Sequence, residues 1–195
     1  VDAHTALSGR PFRSEARHWD YTRRDMEQNF TSHRATQVAQ AAHGSAGQIE
    51  RWQALDESAY GFQLRRNGPG ARIAHRQLLA LKTGRMPQFI LAEVRWLRQG
   101  ADQAVTLGAQ ALPGIARPCA VRSASEDPAK PHPYTQAFLL PQTLGAAPSL
   151  VLPAGWYQRE CFVDLRLDEG VTHIRLCELL ERGFDYDRAS FSATG

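Results

Sequence analysis

The sequence is poor in lysine, in cysteine and in long apolar runs. Of its 23 basic residues only Lys82 and Lys130 are lysine, so the positive charge is almost entirely arginine. The three cysteines, Cys119, Cys161 and Cys177, form no Cys-x-x-Cys pair. This spacing argues against a zinc site and predicts reduced thiols in a cytoplasmic protein. No apolar run approaches the length of about 18 residues that a membrane-spanning helix needs.

The composition is that of an ordinary globular protein, with 43% hydrophobic and 22% charged residues among 195. This length predicts one large or two small domains. The net charge of +3 is too small to indicate a nucleic-acid surface. The chain begins at Val1 without a signal-peptide pattern, and we expect it to be a fragment of a longer chain or a processed form.

Four segments follow from the distribution of apolar residues and turn residues. Residues 1–33 are polar and predict an N-terminal arm or helix. Residues 34–116 contain short apolar segments separated by Gly and Asn turns, which is typical of an antiparallel barrel or sandwich. Residues 117–135 are rich in proline and predict a linker or loop. Residues 136–195 contain further short apolar segments and predict a second, small β unit packed on the first.

Two local predictions concern secondary structure. Residues 34–42 could be strand or helix, and we favour a β-hairpin with residues 49–55 because a Gly- and Ser-containing loop separates them. Residues 178–183 could form one helical turn before a final strand over residues 184–191.

One short motif has the character of a site. Residues 52–64 predict strand, tight turn and strand, with Asp56, Ser58 and Gly61 in the turn. Asp and Ser side chains bond nearby backbone amides and close such turns, and Gly adopts backbone angles that other residues avoid. By itself the spacing is more typical of a structural corner than of a site.

This motif, together with the upstream pair Arg13-x-x-x-Arg17, resembles the PilZ family, which binds the bacterial second messenger cyclic di-GMP. The family pattern is Arg-x-x-x-Arg before the first barrel strand and Asp/Asn-x-Ser-x-x-Gly after the second. The resemblance covers about residues 13–115. It implies a mainly β fold: a PilZ-like antiparallel β-barrel with an N-terminal arm or helix and an additional C-terminal β unit.

The resemblance also implies roles for five residues. Arg13 and Arg17 would clamp the ligand from a flexible arm, since arginine can bond a guanine, grip a phosphate and stack on a base. Asp56 would accept from the N–H edge of a guanine, and Ser58 would contact phosphate or base. Gly61, which has no side chain, would leave space for the ligand at the wall of the site.

The arginine pair departs from the family pattern in its distance from the first strand. A long polar segment separates Arg17 from the first predicted strand at Arg34. Arg23, Arg24 and Arg34 are nearer to that strand, but none of them forms the four-spaced pair. This departure leaves a second hypothesis open, a PilZ-like adaptor that works through protein–protein contact without the ligand.

Four aromatic residues fall near the motif or in the neighbouring strands: Trp52, Tyr60, Phe62 and Trp96. They could stack on bases, but aromatic residues in β-strands more often belong to the core.

No catalytic constellation is visible in the sequence. No Gly-x-Ser-x-Gly elbow surrounds Ser58, and the adjacent carboxylates Asp56 and Glu57 would point to opposite faces of a strand. Together with this absence, the PilZ resemblance implies a non-enzymatic, cytoplasmic bacterial receptor with cyclic di-GMP as ligand and no cofactor or metal. We also expect an unidentified protein partner, no nucleic-acid partner and no membrane span.

Overall fold

A computed structural model describes residues 49–84, 87–124 and 132–194 of the chain. Eleven β-strands and no helix occur within these ranges. All strand pairs are antiparallel, so the predicted mainly β, antiparallel fold is confirmed.

The first five strands form an open sheet in the order β1-β2-β5-β4-β3. Their bounds are β1 (Gln53–Glu57), β2 (Gly61–Arg66), β3 (Leu78–Leu81), β4 (Ile90–Gln99) and β5 (Val105–Ala111). In β2, Phe62 and Leu64 are buried while Gln63 and Arg65 are only partly buried. This alternation is what a strand with one covered face requires.

The remaining six strands form a closed barrel in the order β10-β11-β8-β7-β6-β9. Their bounds are β6 (Arg117–Ser123), β7 (Thr135–Leu140), β8 (Ser149–Pro153), β9 (Phe162–Leu167), β10 (Gly170–Arg182) and β11 (Tyr186–Ala193). Strand β10, 13 residues long, closes the barrel because its first half pairs with β9 and its second half pairs with β11.

Small and branched apolar side chains fill the barrel. The buried cluster consists of Cys119, Val121, Ala137, Leu150, Leu152, Val163, Leu165, Ile174, Leu176 and Ala189. Every strand of the barrel contributes to this cluster, so the interior is a packed core.

Strand β4 is buried along its first half because the sheet carries a core on each face there. Ala92 and Val94 pack with residues of β2 and β5 on one face. Leu91 lies on the other face, in a cluster that includes Tyr186 of the barrel. This two-sided burial explains the apolar start of β4, and from Arg95 onwards the strand is exposed.

The closed barrel lies further along the chain than the sequence predicts. The barrel is expected over residues 34–116, but the described part of that range is the open sheet. The linker expected over residues 117–135 is wrong for its first seven residues, which form β6. Pro118 has no backbone N–H to donate, but the other residues of the strand keep theirs. The strand therefore still pairs with β7 and β9. Cys119 and Val121 belong to the barrel core.

The helical turn predicted over residues 178–183 is wrong, because β10 continues through this segment to Arg182. The pairing of β10 with β11 shifts register between Leu176 and Leu179 and again between Leu179 and Glu181. Such irregularities break the two-residue alternation of a strand. The alternation of buried and exposed residues that marks a strand in the sequence is therefore interrupted here, although the strand itself continues. The final strand predicted after it is confirmed as β11.

Hydrogen bonds next to Asp185 join the sheet to the barrel. The Leu78 amide donates to Asp185 Oδ1 at 2.9 Å, and the Phe184 amide donates to the Arg76 carbonyl at 2.7 Å. Burial raises the pKa of the Asp185 carboxyl to about 6, while the hydrogen bond from Leu78 opposes the shift. The ionised form of Asp185 is therefore disfavoured in the folded protein.

We expect Asp185→Asn to stabilise the protein at neutral pH but not in acid. The folded-state pKa of Asp185 lies above its usual value of 3.8. The wild-type protein therefore loses stability as the pH rises through about 6. Asparagine keeps an acceptor for the Leu78 amide. Above about pH 7 the free energy of unfolding of the variant should therefore exceed that of the wild-type protein by about 1–3 kcal/mol. Urea unfolding at about pH 4 and about pH 7.5 measures this, and a pH-independent difference would contradict the assignment.

Candidate functional site on the open sheet

The Asp-x-Ser-x-x-Gly motif forms the tip of the β1–β2 hairpin, so the predicted strand, turn and strand are confirmed. Asp56 lies in β1, Gly61 opens β2 and Ser58 lies between them. The Ser58 amide donates to the Gly61 carbonyl at 2.8 Å, and the Ser58 hydroxyl donates to the same oxygen at 3.3 Å. The Glu57 amide donates to Asp56 Oδ1 at 2.9 Å. These bonds hold the turn.

Gly61 provides space and not an unusual backbone angle. It is not among the glycines with positive φ, so the backbone freedom expected of it is not used. A Cβ at this position would lie 3.3 Å from Ser58 Oγ and 3.8 Å from the Ala109 carbonyl oxygen. The absence of a side chain therefore leaves the surface beside the Ser58 hydroxyl open.

Asp56, Ser58 and Gly61 line one shallow depression of about 280 Å³ on a face of the sheet. Its other walls come from β2, β4 and β5 and consist of Phe62, Gln63, Arg95, Trp96, Gly108 and Ala109. Asp56 is exposed, and within the part of the chain that the structure describes no cation pairs with its carboxylate. The hairpin motif thus lies beside an arginine and a tryptophan that are distant from it in sequence.

A β-bulge at Arg95 places Trp96 on this face. Val94 pairs with Ala109 and Trp96 pairs with Gly108, so Arg95 is the extra residue. Without the bulge Trp96 would share a face with Val94 and enter the core of the sheet. With the bulge its side chain is 40% exposed.

Gly108 makes room for the indole of Trp96. A Cβ on residue 108 would overlap Nε1 and Cε2 of the Trp96 ring. The ring therefore rests on the backbone of β5, with its other face turned away from the sheet. Any residue larger than glycine at position 108 would displace the ring.

A second depression of about 370 Å³ lies on the other side of Trp96. Its lining includes Gln63, Arg65, Trp96, Arg98, Asp102 and Thr106. Because both depressions share Gln63 and Trp96, they form one continuous surface across β1, β2, β4 and β5.

Arg95 connects the first depression to the contact between sheet and barrel. Its guanidinium donates to Gln110 Oε1 at 2.7 Å and to Glu93 Oε1 at 2.9 Å. Glu93 is 1% exposed and also accepts from the Tyr186 hydroxyl. Burial, followed by the hydrogen bond to Glu93, raises the pKa of Tyr186. The Tyr186 hydroxyl therefore stays protonated and remains a donor to Glu93.

The predicted arginine clamp cannot be located on this surface. Arg13 and Arg17 lie outside the described residues, as do the alternatives Arg23, Arg24 and Arg34. The hairpin predicted for residues 34–42 lies outside them as well.

The four aromatic residues considered for stacking have different surroundings. Phe62 is a core residue of the sheet, 4% exposed, as expected of an aromatic residue in a strand. Tyr60 is exposed at the hairpin tip, and Trp52 packs beneath the Arg66 guanidinium, 5.0 Å from the ring centroid. Phe62 lines the first depression from the core, whereas Trp96 lines both depressions and has an exposed ring.

Sequence reasoning missed Arg95, Arg98 and Gly108. A bulge leaves no mark on the alternation of polar and apolar residues, so nothing indicated that Arg95 and Trp96 both reach this face. Gly108 in the middle of a predicted strand was a usable signal, because glycine inside a strand often marks the close approach of another group.

Other kinds of site find little support among the described residues. Within them no group of three or more His, Cys, Asp or Glu side chains is arranged to hold a metal ion. No helix there is long and apolar enough to span a membrane. The three cysteines are free thiols, and burial in the barrel raises the pKa of Cys119 to about 12.

Comparison with known protein families gives a match over the barrel. Residues 119–194 match the model of the FimW C-terminal beta-barrel domain. The matched range begins two residues inside β6 and runs through β11, so it coincides with the closed barrel and excludes the sheet. No curated protein and no solved structure gives a significant match. The chain is therefore similar to the FimW C-terminal beta-barrel domain over its barrel.

Proposed function

We propose that this protein is a cytoplasmic, non-enzymatic bacterial receptor that binds cyclic di-GMP on the open face of its five-stranded sheet and signals to a protein partner. The observation that carries the proposal is the depression in which Asp56, Ser58 and Gly61 meet Arg95 and Trp96. Its volume is close to the lower end of the roughly 300–1,000 Å³ range typical of ligand sites.

The chemistry of this depression suits a guanine nucleotide. The Asp56 carboxylate, which pairs with no cation among the described residues, can accept two N–H groups from the edge of a guanine, which is a charge-assisted interaction. The Ser58 hydroxyl beside it can donate to a phosphate oxygen in place of the Gly61 carbonyl, which keeps the Ser58 amide as a donor. The Arg95 guanidinium is 44% exposed even while it pairs with Glu93, so it can also reach an anionic ligand.

The arginine pair of the N-terminal segment completes the proposed site. Arg13 and Arg17 would fold over the depression and add donors for the phosphates, as the PilZ resemblance implies. Ordering of such an arm by ligand is one physical route by which binding reaches a partner.

Isothermal titration calorimetry tests the proposal. We expect saturable binding of cyclic di-GMP in the micromolar range, with GTP and cyclic GMP binding much more weakly. A double variant, Arg13→Ala with Arg17→Ala, should lose most of the affinity. Absence of heat with the unsubstituted protein at tens of micromolar ligand would contradict the proposal, and full affinity of the double variant would remove the arginine clamp from it.

The second candidate function is a ligand-independent PilZ-like adaptor. One observation favours it: the Asp-x-Ser-x-x-Gly turn belongs to the open sheet and not to the closed barrel, whereas the family pattern places it after the second barrel strand. An adaptor would capture the same partner in pull-downs with and without nucleotide. Calorimetric titration of the adaptor with cyclic di-GMP would release no heat of binding.

A further inference from the structure

The second depression has the groups of a nucleotide subsite, and the proposed function does not use them. Arg98 lies at its edge, with its guanidinium carbon 5.8 Å from the centroid of the Trp96 ring. This distance is close to the outer limit of about 6 Å for a cation–π contact. Within the described residues Arg98 has no carboxylate partner, so its donors are free to bond a phosphate.

The opposite side of the second depression is held in place by an ion pair. Arg65 donates from Nε to Asn67 Oδ1 at 2.9 Å and from a terminal nitrogen to Asp102 Oδ2 at 3.1 Å. Asp102 Oδ1 also accepts from the Ala104 amide at 3.2 Å. Arg65 and Asp102 therefore line the same depression as Arg98, and their ion pair neutralises the charge of both side chains.

Trp96 forms the wall that the two depressions share. Its inner face rests on Gly108, where a Cβ would overlap the ring, so the indole is held across the strand. The Arg98 guanidinium lies over this ring, so the outer face becomes available to a planar base when Arg98 turns towards a phosphate. A fixed aromatic surface flanked by arginines is the usual arrangement for stacking a nucleobase while its phosphate is neutralised.

We propose that the ligand spans both depressions, with one purine stacked on Trp96 and a phosphate bonded by Arg98. The ligand class is a purine nucleotide with more than one base or phosphate. This inference rests on the proposed function, because it assigns the second half of the same ligand to the surface next to Asp56. Aromatic side chains also cover glycines in sheets for structural reasons alone, and binding measurements separate the two roles.

The test compares binding by variants of Trp96 and Arg98, using cyclic di-GMP and GMP as probes. We expect Trp96→Leu to weaken cyclic di-GMP binding by about tenfold to a hundredfold, whereas Trp96→Phe, which keeps a ring, should lose about threefold or less. Arg98→Ala should weaken binding by about tenfold and reduce its dependence on salt. Arg72→Ala is the matched control, since Arg72 is exposed and lies outside both depressions.

The outcomes separate this inference from the proposed function. If the unsubstituted protein binds cyclic di-GMP and both Trp96→Leu and Arg98→Ala bind it equally well, only the subsite is wrong. If it binds GMP in a Trp96-dependent way but not cyclic di-GMP, Trp96 stacks a purine, but the ligand that spans both depressions and the proposed function are both wrong. Absence of binding to either probe overturns both. If circular dichroism shows that Trp96→Leu is unfolded, the affinity of the Arg98→Ala variant for cyclic di-GMP tests the subsite instead, because Arg98 is exposed.

Discussion

Replacing Glu93 by alanine is expected to lower the free energy of unfolding by about 2–3 kcal/mol. Glu93 lies where the sheet meets the barrel, is 1% exposed, and accepts from the Tyr186 hydroxyl and from Arg95. Loss of the carboxylate leaves the buried Tyr186 hydroxyl without this acceptor and opens a cavity. The cost falls below that of a fully buried ion pair because Arg95 and Arg76 are 44% and 41% exposed and can be hydrated.

Chemical denaturation of matched variants measures this effect. Glu178→Ala removes an equal charge from an exposed position on β10 and should change the unfolding free energy by about 0.5 kcal/mol or less. Tyr186→Phe should cost about 1–2 kcal/mol, because it leaves the Glu93 carboxylate buried with one donor fewer. If Glu93→Ala is no more destabilising than Glu178→Ala, Glu93 does not stabilise the contact between sheet and barrel.

Replacing Asp56 by alanine is expected to weaken cyclic di-GMP binding by about tenfold to a hundredfold. The carboxylate is the acceptor that the proposed site offers to a guanine edge, and among the residues that the structure describes no other carboxylate lines the first depression. Asp56→Asn keeps one acceptor oxygen and should retain part of the affinity. Calorimetric titration of both variants beside the unsubstituted protein measures the change.

The neighbouring residue supplies the control for Asp56. Glu57 pairs with Phe62 whereas Asp56 pairs with Gln63, so the two carboxylates lie on opposite faces of the sheet. Glu57→Ala removes the same charge from the same hairpin without changing the depression, and its affinity should stay within about twofold. Equal losses in Asp56→Ala and Glu57→Ala would indicate a general charge effect and would remove Asp56 from the proposed site.

The hairpin that carries the motif could be predicted because its signals are local. Turn residues at Asp56 and Ser58 separate two short strands, and the alternation of Phe62 and Leu64 with polar residues fixes the buried face of β2. Local turn chemistry and a two-residue period require no knowledge of distant contacts.

The position of the barrel could not be predicted because closure depends on pairing between distant segments. Short strands joined by turns occur in open sheets and in closed barrels alike. Pro118 made β6 resemble a linker, and the register shifts near Leu179 hid the continuation of β10. Both segments are strands because of the partners they meet in the barrel.

Only the hairpin part of the candidate site could be predicted from the sequence, for a related reason. The spacing of Asp56, Ser58 and Gly61 can be recognised in the sequence. Trp96 reaches the same face through a bulge, and no sequence pattern predicts that bulge. A strict two-residue period would have placed Trp96 in the core beside Val94. The role of Gly108 is likewise defined by the ring that lies across it.

Hydrogen–deuterium exchange with and without cyclic di-GMP tests the location of the proposed site most directly. Amides at the β1–β2 tip and in the β4–β5 pair, residues 56–63 and 94–109, should exchange more slowly in the presence of ligand, while the barrel strands should change little. Unchanged exchange in these two segments at saturating ligand, or protection confined to residues 117–193, would contradict a binding site on the open sheet.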